Sequence, residues 1–204
     1  MRIQWLYLLL ALGLMVPPTP LPADFRKALR RSNVNHPEGV AWVWQNWWDL
    51  VRAALGVYFL MQHAIVGDGQ LGADDKALVL QTVVLGVVLL AQIIRMLHTV
   101  QLLAPVFYLC GMTLMLGGFD SSFFHIPLPI SGAFAVGVGW LFAIGGKNLG
   151  YQLPAMAVAV AVAGCVLGPP LPLMVNCGLI LFPMLLSVLF KKRLWFAASA
   201  PAGA

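Results

Sequence analysis

Charge is almost missing from the second half of this chain, and this constrains its fold more than any other feature. The 95 residues from Met96 to Phe190 contain only two formal charges, on Asp120 and Lys147. Apolar runs of this length suit the hydrocarbon of a lipid bilayer, where a charged side chain is strongly unfavourable. The pattern therefore predicts an all-α protein that folds as a multi-pass transmembrane helix bundle.

The composition agrees with a membrane-embedded chain. Hydrophobic residues make up 61% and charged residues 9% of the 204 residues, against roughly 45–50% and about 25% in soluble domains. A spanning helix needs about 20 apolar residues, so the chain has room for six or seven spans. The net charge of +5 is explained by membrane orientation, and no nucleic-acid partner is expected.

Six spans are predicted from the apolar runs and from the signals that end them. They occupy residues 43–66, 77–94, 102–118 and 130–144, with two more within 148–190. The run Gly168-Pro169-Pro170 divides the last pair, because proline removes a backbone donor and stops a helix. Pro183 falls inside the final span and predicts a kink there.

Residues 1–16 predict a further, short hydrophobic helix. Arg2 followed by an apolar run has the pattern of a signal peptide, so this segment is either an N-terminal hydrophobic helix or an uncleaved signal-anchor. Leu21 is large for a cleavage site, and the four bases within residues 26–31 would have to be exported after cleavage. We therefore expect a retained helix with its N-terminus outside the cell.

The chain is expected to divide into four segments. After the N-terminal helix of residues 1–16, residues 17–41 form a basic, proline-containing cytoplasmic linker. Residues 42–193 form the six-helix membrane domain, and residues 194–204 form a C-terminal tail. The basic cluster of the linker predicts contact with anionic lipid, and contact with a partner is the alternative.

Lysine and arginine alternate between connections, and this alternation predicts the orientation of the bundle. Cytoplasmic loops are rich in these two residues. Alternate connections contain Arg26, Lys27, Arg30, Arg31, Arg95, Lys147, Lys191, Lys192 and Arg193. The intervening connections contain Lys76 as their single base, so the C-terminus is predicted to be cytoplasmic. Simple loops without organelle-targeting features favour the bacterial cytoplasmic (inner) membrane.

The start of the first span carries four tryptophans and an acid–base pair. Tryptophan is enriched where a helix passes from headgroups into hydrocarbon, so these residues are predicted to be interface anchors. They are Trp42, Trp44, Trp47 and Trp48. Asp49 and Arg52, three residues apart on one helix, predict a boundary ion pair. A functional relay through this pair is the alternative.

Small residues predict which helices pack closely, because lipid is as apolar as leucine and does not drive helices together. The span at 130–144 has a small face formed by Ser131, Ala135, Gly139 and Ala143. The next span has two alternative small faces, formed by Ala155, Ala159 and Ala163 or by Ala157, Ala161 and Cys165. These two spans are predicted to pack together, and a face reserved for another subunit is the alternative.

Two histidines are the weak candidates for a cofactor site. His63 lies near the outer end of the first span and His125 lies in an outer connection, so the two side chains can meet. Histidine pairs bind haem iron and other metals, whereas interfacial histidines commonly serve as polar anchors. No cofactor, metal site or catalytic residue is therefore predicted.

The remaining polar residues of the spans suit structure. The three cysteines have no paired spacing and lie in apolar runs, so they are interpreted as small buried residues. Four other polar side chains fall within spans, namely Gln81, Gln92, Thr113 and Asn176. Each can bond across helices for about 1 kcal/mol or less, and they would line a solute path only if they faced one cavity.

Three functions are compatible with this pattern. The first is a non-catalytic subunit or scaffold of a larger membrane complex, whose partners are the lipid bilayer and other membrane protein subunits. The second is a small-solute transporter or the membrane component of one, indicated by the kinked last span and the scattered amides. The third is a haem- or metal-binding redox membrane protein that uses His63 and His125.

Overall fold

The part of the chain that the structure describes is mostly helical. A computed structural model describes residues 2–16, 44–67, 73–94, 101–116, 130–167 and 170–196. This described part is 85% helical and contains seven α-helices. The predicted all-α class is confirmed. Trp42, His125 and the basic linker of residues 17–41 lie outside the described residues.

Seven helices and four short strands follow one another in the described ranges. The helices are α1 (Trp5–Met15), α2 (Trp44–Phe59), α3 (Ala73–Ile94), α4 (Val106–Leu116), α5 (Ile130–Gly145), α6 (Gln152–Leu167) and α7 (Pro170–Leu189). The strands are β1 (Arg2–Ile3), β2 (Ile65–Val66), β3 (Gln101–Ala104) and β4 (Arg193–Phe196). A π-helical turn at Leu60–Ala64 extends α2, and a 3-10 turn at Leu149–Tyr151 precedes α6.

Helix length and composition allow one membrane span in the described part of the chain. Of the described helices, α3 alone is long and apolar enough to cross a membrane, and 33% of its most apolar stretch is buried within the protein. Helices α1 and α4 have 11 residues each, or about 16 Å at 1.5 Å per residue, against a hydrocarbon core of about 30 Å. Because a single long apolar helix also occurs in soluble cores, the count of six spans is not confirmed.

The segment predicted as a helix from residue 102 begins instead as a strand. Gln101–Ala104 pairs in parallel with Arg193–Phe196, so that Leu102 faces Leu194 along the ladder. Pro105 disfavours helical geometry at the residue before it, and its carbonyl accepts the Leu109 backbone N–H at 3.0 Å. The helix therefore starts at Val106, and part of the predicted C-terminal tail forms strand β4.

The two strand pairs mark opposite ends of the bundle. Strand β1 pairs antiparallel with β2, so α1 runs antiparallel to α2. Gln81 near the start of α3 bonds to Ile65 at this β1–β2 end. Gln92 near the end of α3 bonds to the backbone of Met15, the last residue of α1. Helix α3 also contacts β3, so the C-terminus of α1 lies at the β3–β4 end.

Helix α4 lies at the centre of the fold. Nine of its 11 residues are buried, and α4 contacts α2, α5 and α7. A helix that is apolar on all sides is expected in such a position. A Cβ atom at Gly111 would overlap the Leu50 carbonyl oxygen and lie 2.8 Å from the Ala53 Cβ. Glycine therefore allows the backbones of α2 and α4 to approach closely.

Helices α5 and α7 end in the same way at the β3–β4 end. Lys147 and Lys191 each have a φ of 52°, a left-handed conformation that usually requires glycine. Asn148 N donates to the Ala143 carbonyl at 3.1 Å, and Lys192 N donates to the Ser187 carbonyl at 3.1 Å. Each lysine thus places a cation beside the negative end of a helix dipole, which partly offsets the backbone strain.

Replacing Gly111 by alanine is expected to lower the free energy of unfolding by about 1–3 kcal/mol, because the new methyl group meets backbone atoms of α2. Gly137→Ala is the matched control on α5, where nothing lies within 4 Å of an added Cβ. The control is expected to leave stability unchanged or to raise it by up to about 1 kcal/mol. Unfolding of both purified variants in detergent checks the pair, and equal effects would contradict the close approach at Gly111.

Candidate functional site

Four polar side chains are buried in the otherwise apolar interior of the described part of the bundle, and large apolar side chains lie on its surface. The buried polar side chains are Gln81, Thr113, Gln152 and Asn176. The exposed apolar ones include Leu6 on α1, Val83 on α3, Leu141 on α5 and Val188 on α7. Buried polar side chains in an apolar interior are uncommon, so these four side chains are the candidates for a site.

Two of the buried amides meet the same face of α4. Gln152 Nε2 donates to Cys110 Sγ at 3.2 Å, and Thr113 Oγ1 donates to Asn176 Oδ1 at 3.5 Å. Cys110 and Thr113 are three residues apart, so their side chains are neighbours on the helix surface. These four residues form a polar seam between α4, α6 and α7, which is the candidate site.

Each amide of the polar seam retains one unpaired atom. Among the residues that the structure describes, Gln152 Oε1 and Asn176 Nδ2 are buried without a hydrogen-bond partner. Both side chains are 0% exposed. An unsatisfied buried polar atom costs about 1–3 kcal/mol, so two in one seam indicate a feature that packing alone does not explain.

The helices around the polar seam hold it by close packing. Gly132 on α5 faces the backbone of Thr113 and Leu114 with no space for a Cβ atom. Gly139 on α5 likewise faces the Met156 side chain and lies near the Gln152 carbonyl of α6. Glycine at these two positions brings α5 against α4 and α6, which encloses the seam from a third side.

Gln81 and Gln92, which the sequence grouped with Thr113 and Asn176, do not join the polar seam. Gln81 Nε2 donates to the Ile65 carbonyl at 2.7 Å, at the end of the π-helical turn. Gln92 Nε2 donates to the Met15 carbonyl at 3.1 Å, at the end of α1. Both side chains satisfy backbone groups that helix ends leave unpaired.

The sequence reasoning missed Gln152. This residue lies within the long uncharged run from Asn148 to Phe190, where an amide interrupts a sequence of small and apolar residues. This single amide in an apolar run was the feature of the sequence that could have indicated a buried polar contact. Its partner Cys110 was interpreted only as a small buried residue, whereas the structure makes the thiol the acceptor of the Gln152 amide.

Arg52 binds the C-terminus of α1 as well as Asp49. Its Nη2 donates to the carbonyls of Leu14 at 3.1 Å and Val16 at 3.0 Å. Its Nη1 lies 3.4 Å from the half-exposed Asp49 Oδ1. The carbonyls at a helix end lack partners and favour a cation. The structure therefore assigns Arg52 a second role as a cap that joins α1 to α2.

His63 lies in an aromatic cluster at the β1–β2 end. Its ring centroid is 5.1 Å from that of Tyr7, 5.8 Å from Tyr58 and 6.0 Å from Phe59. The cluster joins α1 to the π-helical turn after α2. Because His125 lies outside the described residues, the proposed meeting of the two histidines stays a prediction. In the described ranges, no group of three His, Cys, Asp or Glu side chains is placed to hold a metal.

The interface tryptophans are described in part. Trp47 is partly exposed, and its ring centroid lies 6.1 Å from that of Phe107 in an edge-on arrangement. Trp48 is exposed on the surface of α2. Trp44 begins α2, and Trp42 lies outside the described residues. Trp47 therefore links the start of α2 to the start of α4.

The small faces of α5 and α6 lie where these two helices contact each other and their neighbours. On α5, Ala135, Gly139 and Ala143 are buried and Ser131 is half-buried. On α6, Ala159 and Ala163 are buried and Ala155 is half-buried. Of the alternative α6 face, Ala157 is buried, whereas Ala161 and Cys165 are exposed.

Comparison with known proteins found no matching family model, no matching curated protein and no solved structure of significant similarity.

Arg52→Met is expected to lower the free energy of unfolding by about 1.5–3 kcal/mol, because carbonyls at the end of α1 lose a charged donor. Asp49→Asn is the matched control and is expected to cost less than about 1 kcal/mol, since Asp49 is 49% exposed and such pairs contribute little. Unfolding of the purified variants in detergent measures both. If the two substitutions were equally damaging, the ion pair and not the cap would be the stabilising contact.

Proposed function

We propose that this chain is a multi-pass integral membrane protein of the bacterial cytoplasmic membrane, and that its helix bundle serves as a non-catalytic subunit or scaffold of a larger membrane complex. The observation that carries the membrane assignment is the apolar outer surface. On α3, Val79, Val83 and Val87 are 62%, 54% and 60% exposed and lie four residues apart on one face. Lipid covers such a stripe favourably, whereas water does not.

The same exposure is found on other helices. Trp5, Leu6 and Leu9 project from α1, and Leu185 and Val188 project from α7. Contiguous apolar surface beyond a few hundred Å² is rare on soluble monomers. Exposed apolar faces on helices far apart in sequence therefore support a surrounding bilayer better than a single docking patch.

Helix lengths are compatible with several spans once the adjoining turns are counted. Helix α2 has 16 residues and continues into a π-helical turn of 5, and α7 has 20 residues. At 1.5 Å per residue these reach about 30 Å, the thickness of the hydrocarbon core. Helices α5 and α6 have 16 residues each, or about 24 Å, a mismatch that local thinning of the bilayer accommodates.

The distribution of charge supports the predicted orientation. Lys147, Lys191, Lys192 and Arg193 follow helix ends at the β3–β4 end, where Arg52 also lies. The β1–β2 end has Arg2 and, at the start of α3, Lys76 beside Asp75. Since cytoplasmic surfaces are enriched in bases, we assign the β3–β4 end to the cytoplasm. The N-terminus then lies outside, with α1 kept as part of the bundle.

A scaffold role is supported by how the polar groups are used. Gln81, Gln92 and Arg52 bind backbone carbonyls at the ends of other elements. These contacts fasten α1, α2 and α3 to one another and leave the outer faces for lipid or neighbouring subunits. Neutral amides that bond between helices suit a structural protein.

A transporter of small uncharged solutes is the second candidate, because the polar seam presents unpaired atoms of Gln152 and Asn176 inside the bundle. Transporters bind substrates near the middle of the bilayer with polar groups on discontinuous or adjoining helices. The seam offers amide, hydroxyl and thiol groups, which match a neutral solute.

Orientation is tested by labelling Lys76→Cys and Arg193→Cys in a Cys165→Ala background, since both positions are exposed. A membrane-impermeant maleimide added to sealed cells is expected to label the thiol at position 76 and to label the thiol at position 193 only after the cells are permeabilised. The ratio of labelling before and after permeabilisation is the measurement. Equal labelling of both positions in sealed cells would overturn the orientation.

The scaffold function predicts that the chain leaves native membranes in mild detergent as part of a larger assembly. Its protein mass, measured by light scattering, is expected to exceed the 22.1 kDa of the chain, while the chain produced alone gives a smaller particle. A lone monomer from native membranes that binds a solute would contradict the scaffold and favour the transporter.

A further inference from the structure

We propose that Gln152 Oε1 and Asn176 Nδ2 together bind one small uncharged hydroxyl molecule, water or a short alcohol, within the polar seam. This site goes beyond a scaffold role, because it assigns the polar seam a ligand of stated chemistry. It is also independent of orientation, since it depends only on contacts among α4, α6 and α7.

The chemistry of the two unpaired atoms identifies the ligand. Gln152 already donates to Cys110 through Nε2, which leaves Oε1 as an acceptor. Asn176 already accepts from Thr113 through Oδ1, which leaves Nδ2 as a donor. A hydroxyl group both donates and accepts, so one molecule can satisfy both atoms at once. An aliphatic group satisfies neither.

The positions at which the two amides are anchored favour a single bridging molecule. Their partners Cys110 and Thr113 lie one turn apart on α4, where Cβ atoms are about 5–6 Å apart. One oxygen that lies about 2.8 Å from each of two atoms bridges them when they are at most about 5.6 Å apart. Both amides are anchored to neighbouring positions on one face of α4, which favours one shared ligand over two separate ones.

The surroundings limit the ligand to a small neutral molecule. Helix α7 contacts both α4 and α6, and Cys110 Sγ lies 3.8 Å from Met156 Sδ beside the seam. The side chains of the seam are uncharged, so an ion would lose its hydration without a counter-charge. Buried waters in proteins typically bond to otherwise unsatisfied polar groups of this kind.

A double-mutant cycle on the full chain in detergent tests the site. Gln152→Met and Asn176→Leu replace each amide by an apolar side chain of similar shape, and the melting temperature is measured for each variant and for both together. Each single variant is expected to lower Tm by about 3–6 °C, because the ligand and its bonds to the other amide are lost. The double variant is expected to lose clearly less than the sum, since neither amide is then left with an unpaired atom that the ligand satisfied.

Trp140→Phe is the matched control for coupling. Trp140 Nε1 is also buried without a partner in the described part of the chain, but its ring lies beside Phe107, 5.7 Å away between centroids. The change in Tm caused by Trp140→Phe is expected to be additive with the change caused by either amide substitution.

Additive changes in Tm for Gln152→Met and Asn176→Leu, or a rise in Tm from each, would overturn the proposal.

Infrared spectroscopy gives a second measurement that does not depend on the stability of single variants. A bound water predicts an O–H stretching band that shifts in H₂¹⁸O and that the double variant lacks. A bound alcohol predicts no such shift, but a rise in Tm with ethylene glycol that saturates in the wild type and is absent from the double variant. If neither signal distinguished the wild type from the double variant, the site would be refuted.

Discussion

Close backbone contact around α4 is the constraint on which the rest of the bundle depends. In the proposed lipid environment, apolar side chains gain little by leaving lipid for one another, so helices associate through packing and hydrogen bonds. Gly111 brings α4 against α2, and Gly132 brings α5 against α4. Larger residues at either position would separate these helices. The hydrogen bonds of the polar seam then join α4 to α6 and α7.

The ends of the bundle are joined by a different interaction, in which side chains of one helix satisfy backbone carbonyls of another element. Arg52 and Gln92 bind the last carbonyls of α1 from α2 and α3. Gln81 binds the carbonyl of Ile65 at the opposite end. Because a helix end cannot satisfy its own carbonyls, these contacts make the short α1 part of the bundle although much of its surface is exposed.

The sequence predicted what depends on local pattern and missed what depends on partners distant along the chain. The all-α class, the N-terminal helix and the start of α5 at Ile130 follow from apolar runs and proline positions. The sequence predicted a helix where strand β3 forms. Three apolar residues before Pro105 are compatible with a helix or a strand, and only their pairing with β4 decides between the two. The bonds from Arg52 to carbonyls of α1 could not be predicted from the sequence either, because backbone carbonyls are the same in every residue.

The polar seam is bonded too weakly to be what holds its helices together. The contact between Thr113 and Asn176 is long at 3.5 Å, and a thiol is a weak acceptor for Gln152. Hydrogen bonds between helices in a bilayer contribute about 1 kcal/mol or less even when well formed. The unpaired atoms of both amides oppose that contribution. Close packing at the glycines therefore stabilises the bundle more than these hydrogen bonds do. Each amide keeps one hydrogen-bonding atom that the fold leaves unpaired.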